Sequence, residues 1–212
     1  PLGALDLKLR KQMQLELKRI QQEVGITFIY VTHDQEEAMT MSDRIAVMNR
    51  GHYEQLADPE TLYERPQTRF VAGFLGVSNL LSGTVLEKGA PYASVRLADE
   101  AVVRVPEAAV NGSADVEVGV RPEKIRLFGA DAVPPSGLNV LSGTVLDASY
   151  LGVSTQYVIE TRNGSRISVY EQNVERTIHG SLHRPGEAVH LAWSPDHTFA
   201  VGAPAANASP GE

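Results

Sequence analysis

The chain has 212 residues, no cysteine and a formal net charge of −7. This length allows two modest domains, and the lack of cysteine excludes disulfides and thiolate metal sites. There are 9 basic and 11 acidic residues up to Ser78, and 10 and 15 after it. Neither half therefore has the basic surface that nucleic acid requires. The longest apolar run is too short to span a membrane, and the start at Pro1 leads us to expect a fragment of a longer protein.

The first predicted elements are a helix and a buried strand. Asp6 is a suitable N-cap for the helix, Gly25 is its stop signal, and the basic residues between them are expected to form a solvated face. Residues 26–31 are almost continuously apolar and rich in β-branched side chains, which predicts a parallel strand buried on both faces. His33 follows this strand directly. The apolar stripe of the helix is predicted to consist of Leu9, Met13, Leu17 and Ile20.

The next predicted elements are short. Asp34 and Glu37 have the spacing of a reciprocal capping pair, which predicts a helix to about Met41. A hairpin and two further helices are expected to follow, with proline at the first position of the first one. Their predicted ranges are 45–48 and 53–57 for the strands, and 59–65, capped by Asp58, and 69–75 for the helices.

After Asn79 the pattern changes to short alternating segments separated by turn residues, which is typical of a small β-barrel or sandwich. The eight residues from Asn79 recur from Asn139 with one substitution, at a separation of 60 residues. This repeat predicts two β-units in tandem, and residues 203–212 are predicted to be a disordered tail. The predicted strands are 81–86, 93–97, 102–105, 114–120, 125–128, 141–146, 156–160, 166–170, 188–193 and 198–201.

Several segments before residue 77 resemble the ATPases of ABC transporters. Gly3-Ala4-Leu5-Asp6 is similar to the D-loop, and His33 is similar to the switch histidine. The resemblance continues through Ser42-Asp43-Arg44 to Val71-Ala72-Gly73-Phe74-Leu75-Gly76. It implies that His33 contacts the γ-phosphate of ATP and helps to place the attacking water. It also implies that Gly3, Ala4, Leu5 and Asp6 lie at the interface of two ATPase subunits, where many relatives have serine in place of Gly3.

Other parts of such an active site are missing from this sequence. No G-x-x-x-x-G-K-[ST] loop is present to bind phosphates, and the glutamine loop, the signature motif and the strand with the magnesium-binding aspartate are also absent. In the family the catalytic glutamate immediately precedes the position of Pro1. Phosphoryl transfer needs a phosphate cradle, a metal and an oriented water together. We therefore expect no ATPase activity and no cofactor for this chain alone, but ATP and Mg²⁺ for the complete protein.

In the second half, Val120-Arg121-Pro122-Glu123 resembles the Arg-Pro-Glu motif of the TOBE domain, an OB-like regulatory domain that follows the ATPase core in many importers. Two roles stay open for Arg121 and Glu123, namely a local ion pair that closes a β-turn and a regulatory motif. Residues 150–155 and Trp193 resemble the polyamine-importer branch. The acidic composition argues against nucleic-acid binding by this domain.

Two further clusters have simpler interpretations. Gln35, Glu36 and Glu37 are expected to serve helix capping rather than paired-carboxylate chemistry. His179, His183 and His190 are expected to be scattered surface residues, so no metal site is predicted.

The sequence thus predicts three parts. Residues 1–78 are a partial α/β ABC ATPase core, residues 79–202 are an all-β OB-like TOBE domain with two tandem units, and residues 203–212 are the tail. Because the strand at 26–31 lacks most of its expected neighbours, we predict self-association or partial disorder before Asn79.

The resemblance implies the C-terminal part of the ATP-binding subunit of a bacterial importer, most similar to the spermidine/putrescine type. Sugar, iron and phosphonate are the alternative solutes. The implied partners are a second ATPase subunit, membrane permease subunits and, indirectly, a solute-binding protein, at the cytoplasmic face of the membrane. A stand-alone regulatory or ligand-binding β-barrel is the alternative class of function.

Overall fold

The computed structural model describes residues 7–110, 112, 114–173 and 183–202. None of the helices in these ranges is long and apolar enough to cross a membrane. The helices are α1 (Leu7–Val24), α2 (Gln35–Met41), α3 (Pro59–Glu64) and α4 (Arg69–Phe74). The strands are β1 (Ile45–Asn49), β2 (His52–Ala57), β3 (Asn79–Glu87), β4 (Tyr92–Leu97), β5 (Val102–Pro106), β6 (Asp115–Val120), β7 (Arg126–Gly129), β8 (Asn139–Tyr150), β9 (Ser154–Thr161), β10 (Arg166–Gln172), β11 (Ala188–Trp193) and β12 (Thr198–Gly202).

The helices before Asn79 begin and end close to their predicted positions. Gly25 ends α1 with a φ of +68°, which glycine adopts without steric cost. The side chain of Asp34 caps α2, and Asp58 and Thr68 cap α3 and α4 in the same way. β1 and β2 form the expected antiparallel hairpin. The local capping and turn signals therefore determine these elements.

The strand predicted at residues 26–31 is not formed. Residues 26–31 have no regular secondary structure, and the side chains of Ile29 and Val31 are 92% and 91% exposed. A parallel strand needs neighbours on both sides, and the described residues before Asn79 contain only the antiparallel pair β1–β2. The prediction of a strand buried on both faces is therefore wrong for this structure. Self-association through this segment stays a prediction.

α1 packs on α2 through polar side chains. Gln14 is buried, and its amide Nε2 donates to Glu37 Oε1 at 3.2 Å. Lys18 donates to the carbonyl of Met41 at the end of α2. Lys11 and Lys18 also form ion pairs with Glu36 at 2.6 Å and Asp43 at 2.7 Å. Lys11 stays exposed, as predicted for the solvated face, whereas Lys18 is partly buried against α2. Most of the predicted apolar stripe is exposed, namely Leu9, Met13 and Ile20.

The β-domain, residues 79–202, consists of two five-stranded antiparallel sheets. Their strand orders are β12-β6-β3-β4-β5 and β10-β9-β8-β11-β7. The two ends of each sheet approach each other, β5 with β12 and β7 with β10, as in a five-stranded OB-like barrel. All ten strands predicted here are present, and the sheets share one contiguous apolar core.

The repeated segment forms the central strand of each sheet, β3 in one and β8 in the other. Each has a glycine against the neighbouring strand. A Cβ on Gly83 would lie 2.7 Å from Val95 Cγ1, and one on Gly143 would lie 2.5 Å from Ile159 Cγ2. Each strand also has a register shift just after this glycine. The tandem β-units predicted from the repeat are therefore two copies of one local packing arrangement.

The two units exchange a strand. β7 follows β6 in the chain but pairs with β11 of the other sheet, and β12 follows β11 but pairs with β6. Residues 120–129 and 193–202 therefore make equivalent crossings, each with a 3₁₀ turn, Pro122–Lys124 and Pro195–His197. Neither unit completes its sheet without the other.

Two buried asparagines join the sheets reciprocally. Asn79 of β3 accepts from the Ser168 N–H at 2.8 Å and donates to the Ser168 carbonyl at 2.9 Å. Asn139 of β8 makes the same two bonds to Arg104, both at 2.8 Å. Ser168 and Arg104 lie on the edge strands β10 and β5. Each repeat therefore begins with an asparagine whose side chain hydrogen-bonds the N–H and carbonyl groups of one edge-strand residue in the other unit.

Candidate functional site

The helices meet the β-domain at Arg121, which precedes the 3₁₀ turn Pro122–Lys124. Its side chain is only 1% exposed. Nη2 donates to the carbonyl of Tyr63 at 2.8 Å, and Nη1 donates to the carbonyl of Ala72 at 3.0 Å and to Ser78 Oγ at 2.6 Å. Tyr63 and Ala72 belong to α3 and α4, whose last carbonyls have no partner within the helix. One guanidinium therefore binds the C-terminal turns of two helices.

The buried charge of Arg121 is matched by dipoles and ring faces. The guanidinium carbon lies 4.0 Å from the centre of the Tyr63 ring and 5.7 Å from that of Phe199, and such ring faces attract a cation. Burial lowers the pKa of Arg121, yet arginine keeps its proton at neutral pH. The described residues contain no ion pair between Arg121 and Glu123. The local ion pair considered for this motif is therefore wrong.

Glu123 instead contacts α3. Its Oε1 accepts from the Tyr63 hydroxyl at 2.8 Å. Burial, and then the hydrogen bond to Glu123, raise the pKa of Tyr63 to about 12, so this hydroxyl remains a donor at neutral pH. Pro122, which lies between Arg121 and Glu123 in the chain, is buried. The motif Arg121-Pro122-Glu123 is thus a joint between the β-domain and the helices.

Additional contacts strengthen this joint. Gly76 has a φ of +102°, and a Cβ there would lie 3.7 Å from Tyr63 Cε2 and 3.9 Å from Arg121 Nη1. Ala72 packs against Phe199 and Val201 on the outer face of the first sheet. Two ion pairs cross the joint, Lys124–Glu64 at 2.8 Å and Arg69–Glu117 at 2.6 Å. The boundary predicted after Ser78 therefore separates two parts that are in close contact.

Tyr63 was not identified from the sequence. Its partners Arg121 and Glu123 lie 58 and 60 residues away, and one of its contacts is a backbone carbonyl. Neither leaves a pattern in the local sequence. The motif containing Arg121 was the only available signal for this joint.

His33 lies at a bend between residues 26–32, which have no regular secondary structure, and α2, and its side chain is exposed. The segment before it is fixed to α2 by Glu37, whose Oε2 accepts from Thr32 Oγ1 at 2.8 Å and from the Tyr30 hydroxyl at 2.9 Å. Thr32 Oγ1 in turn accepts from the Asp34 N–H at 2.9 Å. These bonds define the backbone on both sides of His33.

Glu37 therefore has a different role from the predicted one. Asp34 Oδ1 accepts from the N–H groups of Glu36 and Glu37 at 2.9 and 3.2 Å, which confirms Asp34 as the cap. The carboxylate of Glu37 is directed to Thr32, Tyr30 and Gln14, so the reciprocal half of the capping pair is wrong. The Thr32 hydroxyl, and then that of Tyr30, lower the pKa of Glu37 against the effect of burial.

A cleft of about 170 Å³ lies between α2 and the joint. On one side of the cleft is the first turn of α2, which begins two residues after His33. On the other side is Tyr63, whose ring packs against the Arg121 guanidinium. Its lining consists of Gln35, Glu36, Met39, Tyr63, Leu75 and Gly76. Neither His33 nor Arg121 lines this cleft; the residues nearest to them in its lining are Gln35, two positions after His33, and Tyr63, whose carbonyl Arg121 binds.

The remaining candidates are separate from this region. Gly3, Ala4, Leu5 and Asp6, as well as His179 and the tail at 203–212, lie outside the described residues. His183 pairs with Glu187 at 3.6 Å, and His190 contacts Ser142 Oγ at 3.1 Å. Within the described ranges no three His, Asp or Glu side chains are grouped as a metal site would require.

Comparison with known proteins agrees with the architecture. Residues 118–201 match the family model of the TOBE domain. Among solved structures, the cytoplasmic molybdate-binding protein ModG, with molybdate bound, has a TM-score of 0.50 at 17% sequence identity. The match covers 59% of this chain and 96% of the ModG chain, and it supports the fold alone. The β-domain is therefore all-β and OB-like, and its residues 118–201 carry the TOBE match.

Sequence relatives extend the comparison to the helices. The chain is 52% identical over 207 residues to the spermidine/putrescine import ATP-binding protein PotA of Rubrobacter xylanophilus, and 48% identical over 201 residues to that of Thermobifida fusca. It is 42% identical over 196 residues to the uncharacterized ABC transporter ATP-binding protein YdcT of Escherichia coli.

These three matches cover 92–95% of this chain and 50–52% of the relatives, so the chain spans about half the length of the curated relatives it matches. It is a homologue of ATP-binding proteins of ABC importers and carries a TOBE domain at residues 118–201.

Proposed function

We propose that this chain is the C-terminal part of the ATP-binding subunit of a bacterial ABC importer, in which ATP hydrolysis drives uptake of a polyamine such as spermidine or putrescine. The observation that carries the proposal is the 52% identity, along 95% of the chain, to a protein named for import of these solutes.

In this proposal His33 contacts the γ-phosphate and helps to place the attacking water. Its exposure at the start of a capped helix suits this role, because a neutral imidazole can donate one hydrogen bond and accept another. The described residues offer neither a phosphate-binding loop nor a group of metal ligands. ATP and Mg²⁺ would therefore be held mainly by other parts of the complete protein.

The further partners follow from the same proposal. A second ATPase subunit would meet Gly3, Ala4, Leu5 and Asp6, and membrane permease subunits would receive the conformational change at the cytoplasmic face of the membrane. A solute-binding protein would act on the permease from the other side. The β-domain would brace the helices through Arg121 and Glu123.

Replacement of His33 in the complete protein tests the catalytic role. We expect His33→Ala to lower ATP turnover by about 100-fold or more, because a group that positions the nucleophile acts in the transition state. His52→Ala is the matched control, since His52 is also exposed and lies in the β1–β2 hairpin. Turnover that is unchanged in His33→Ala would contradict the proposal.

Uptake of labelled spermidine and putrescine by the assembled transporter tests the solute, with a sugar, iron and a phosphonate as competitors. Preference for one of these competitors would replace the polyamine in the proposal.

The alternative function is a stand-alone regulatory or ligand-binding module. The observation that favours it is the apolar core of the β-domain, which both units share and to which none of the residues described between 7 and 80 contributes. Thermal stabilisation of the chain by a polyamine, an oxyanion or a sugar would support this alternative.

A further inference from the structure

We propose that Tyr63 is a positioning residue for His33, through which the β-domain sets the orientation of the N-terminal end of α2. The catalytic meaning of this inference rests on the function proposed above. The physical coupling itself concerns only residues of this chain.

The first step is that the β-domain fixes the Tyr63 ring. Arg121 covers one face of the ring at 4.0 Å and also binds the Tyr63 carbonyl, while Glu123 binds its hydroxyl at 2.8 Å. Ring, hydroxyl and backbone of one residue are therefore held by two side chains of the β6–β7 corner, Arg121 and Glu123. A change in that corner cannot leave the ring where it is.

The second step is that the same ring forms a wall of the cleft under α2. Tyr63 lines this cleft together with Gln35 and Glu36 from the first turn of α2. Met39, one turn further on, packs with Tyr63 against the apolar cluster beneath the helices. Met39 and Tyr63 thus share one packed cluster, and because packed interiors transmit strain, we expect a displacement of Tyr63 to reach α2 through this cluster.

The third step connects α2 to His33. His33 lies between Thr32 and Asp34, and both of these residues are hydrogen-bonded into the first turn of α2. The His33 backbone therefore moves with the start of this helix. A positioned imidazole is sensitive to such movement, since a misplacement of about 1 Å can reduce a rate by roughly 100-fold.

The second corner of the β-domain provides a matched control. There the Tyr92 hydroxyl donates to Asp196 Oδ1 at 2.6 Å, and the Arg104 guanidinium lies 5.7 Å from the Tyr92 ring. Asp196 occupies the position in its 3₁₀ turn that Glu123 occupies in the first. Tyr92 is not part of the cleft lining. Loss of either hydroxyl removes the same kind of bond.

The experiment compares Tyr63→Phe with Tyr92→Phe in this chain by NMR. We expect Tyr63→Phe to shift the His33 ring resonances and to increase hydrogen exchange of the Glu36, Glu37 and Ala38 amides by about threefold or more. Tyr92→Phe should leave these signals unchanged. Glu123→Gln keeps the ring and an acceptor oxygen, so it should give a smaller change in the same direction.

Trp193 fluorescence and the β-domain resonances report whether each variant is folded. Unchanged His33 signals in a folded Tyr63→Phe variant would overturn the inference, as would equal changes in the two tyrosine variants. If Tyr63→Phe disturbs folding, unchanged His33 signals in Glu123→Gln would overturn it. These readouts require no ATP, so failure of the proposed ATPase role would appear separately, as unchanged turnover in His33→Ala.

Discussion

The two corners of the β-domain have the same backbone and different surroundings. Each crosses from one sheet to the other through a 3₁₀ turn that begins with proline, and each has an acid that accepts from a tyrosine hydroxyl. They differ at the residue before the proline. Ser194 caps its own turn by accepting from the Asp196 N–H, whereas Arg121 extends away from its turn and binds α3 and α4. Both crossings therefore use the 3₁₀ turn. Only in the first corner does the residue before the proline, Arg121, bind the helices.

The outer faces of the two sheets differ in the same way. Phe199 and Val201 are buried because Ala72 of α4 covers them. The equivalent positions in the second sheet are Arg126, which is exposed, and Phe128, which is half-buried. The duplicated scaffold is thus specialised by a few side chains on one side, and those side chains lie where the helices dock.

Removal of the Arg121 side chain should give the largest difference in stability between variants of the two corners. We expect Arg121→Ala to lower the free energy of unfolding by about 3 kcal/mol or more, because it leaves the buried carbonyls of Tyr63 and Ala72 without a donor. Ser194→Ala should cost about 1 kcal/mol or less, as for a typical cap. Urea denaturation followed by Trp193 fluorescence and by far-UV circular dichroism measures both. Equal costs would contradict the distinction between the corners.

How much of this arrangement the sequence predicts depends on the range of the interaction. Local signals predict the ten β-domain strands, the Asp34 cap and the tandem units. These signals are the alternation of apolar residues, the turn residues and the repeat, and each can be recognised within a short stretch of sequence. The prediction of a strand at 26–31 was wrong. Its apolar pattern is that of a strand inside a sheet, but the described residues contain no neighbouring strand to pair with it. Pattern alone reports what a segment prefers, and pairing also needs a partner.

The candidate site shows the same limit. The motif around Arg121 could be recognised, but its role could not, because its acceptors are backbone carbonyls of α3 and α4. Every residue has such carbonyls, so no residue type marks them. Glu37 was misassigned for a related reason. The capping spacing is local, whereas the hydrogen bonds of Glu37 to Tyr30 and Gln14 depend on how α1 and residues 26–32 pack.

The two buried asparagines should show that the units are equivalent where they join. We expect Asn79→Ala and Asn139→Ala each to lower the free energy of unfolding by about 2 kcal/mol, because each leaves one N–H and one carbonyl of the other unit's edge strand unpaired. Thermal unfolding of both variants measures the losses. Ser142→Ala, at a half-buried position of β8, is a control that should change stability by less. A loss confined to one asparagine variant would show that the reciprocal join is unequal.

The smallest expected effect is a difference in pH dependence between the corner tyrosines. Burial and Glu123 raise the pKa of Tyr63 to about 12, whereas the pKa of Tyr92 is raised chiefly by its hydrogen bond to Asp196. A tyrosine has a pKa of about 10 when unfolded. The folded state therefore holds the Tyr63 proton more tightly, and its contribution is complete below pH 10 and is lost as the pH rises towards 12.

Between pH 9 and pH 11.5 the original chain should therefore lose more stability than Tyr63→Phe, by about 1 kcal/mol after solvent screening. Urea midpoints over this range measure the difference, and Tyr92→Phe gives the corresponding value for the second corner. A larger alkaline loss at Tyr92 than at Tyr63 would contradict the assignment of the first corner as the buried joint. Burial at the first corner exists only because α3 is docked there, so the alkaline titration of one hydroxyl reports directly on that docking.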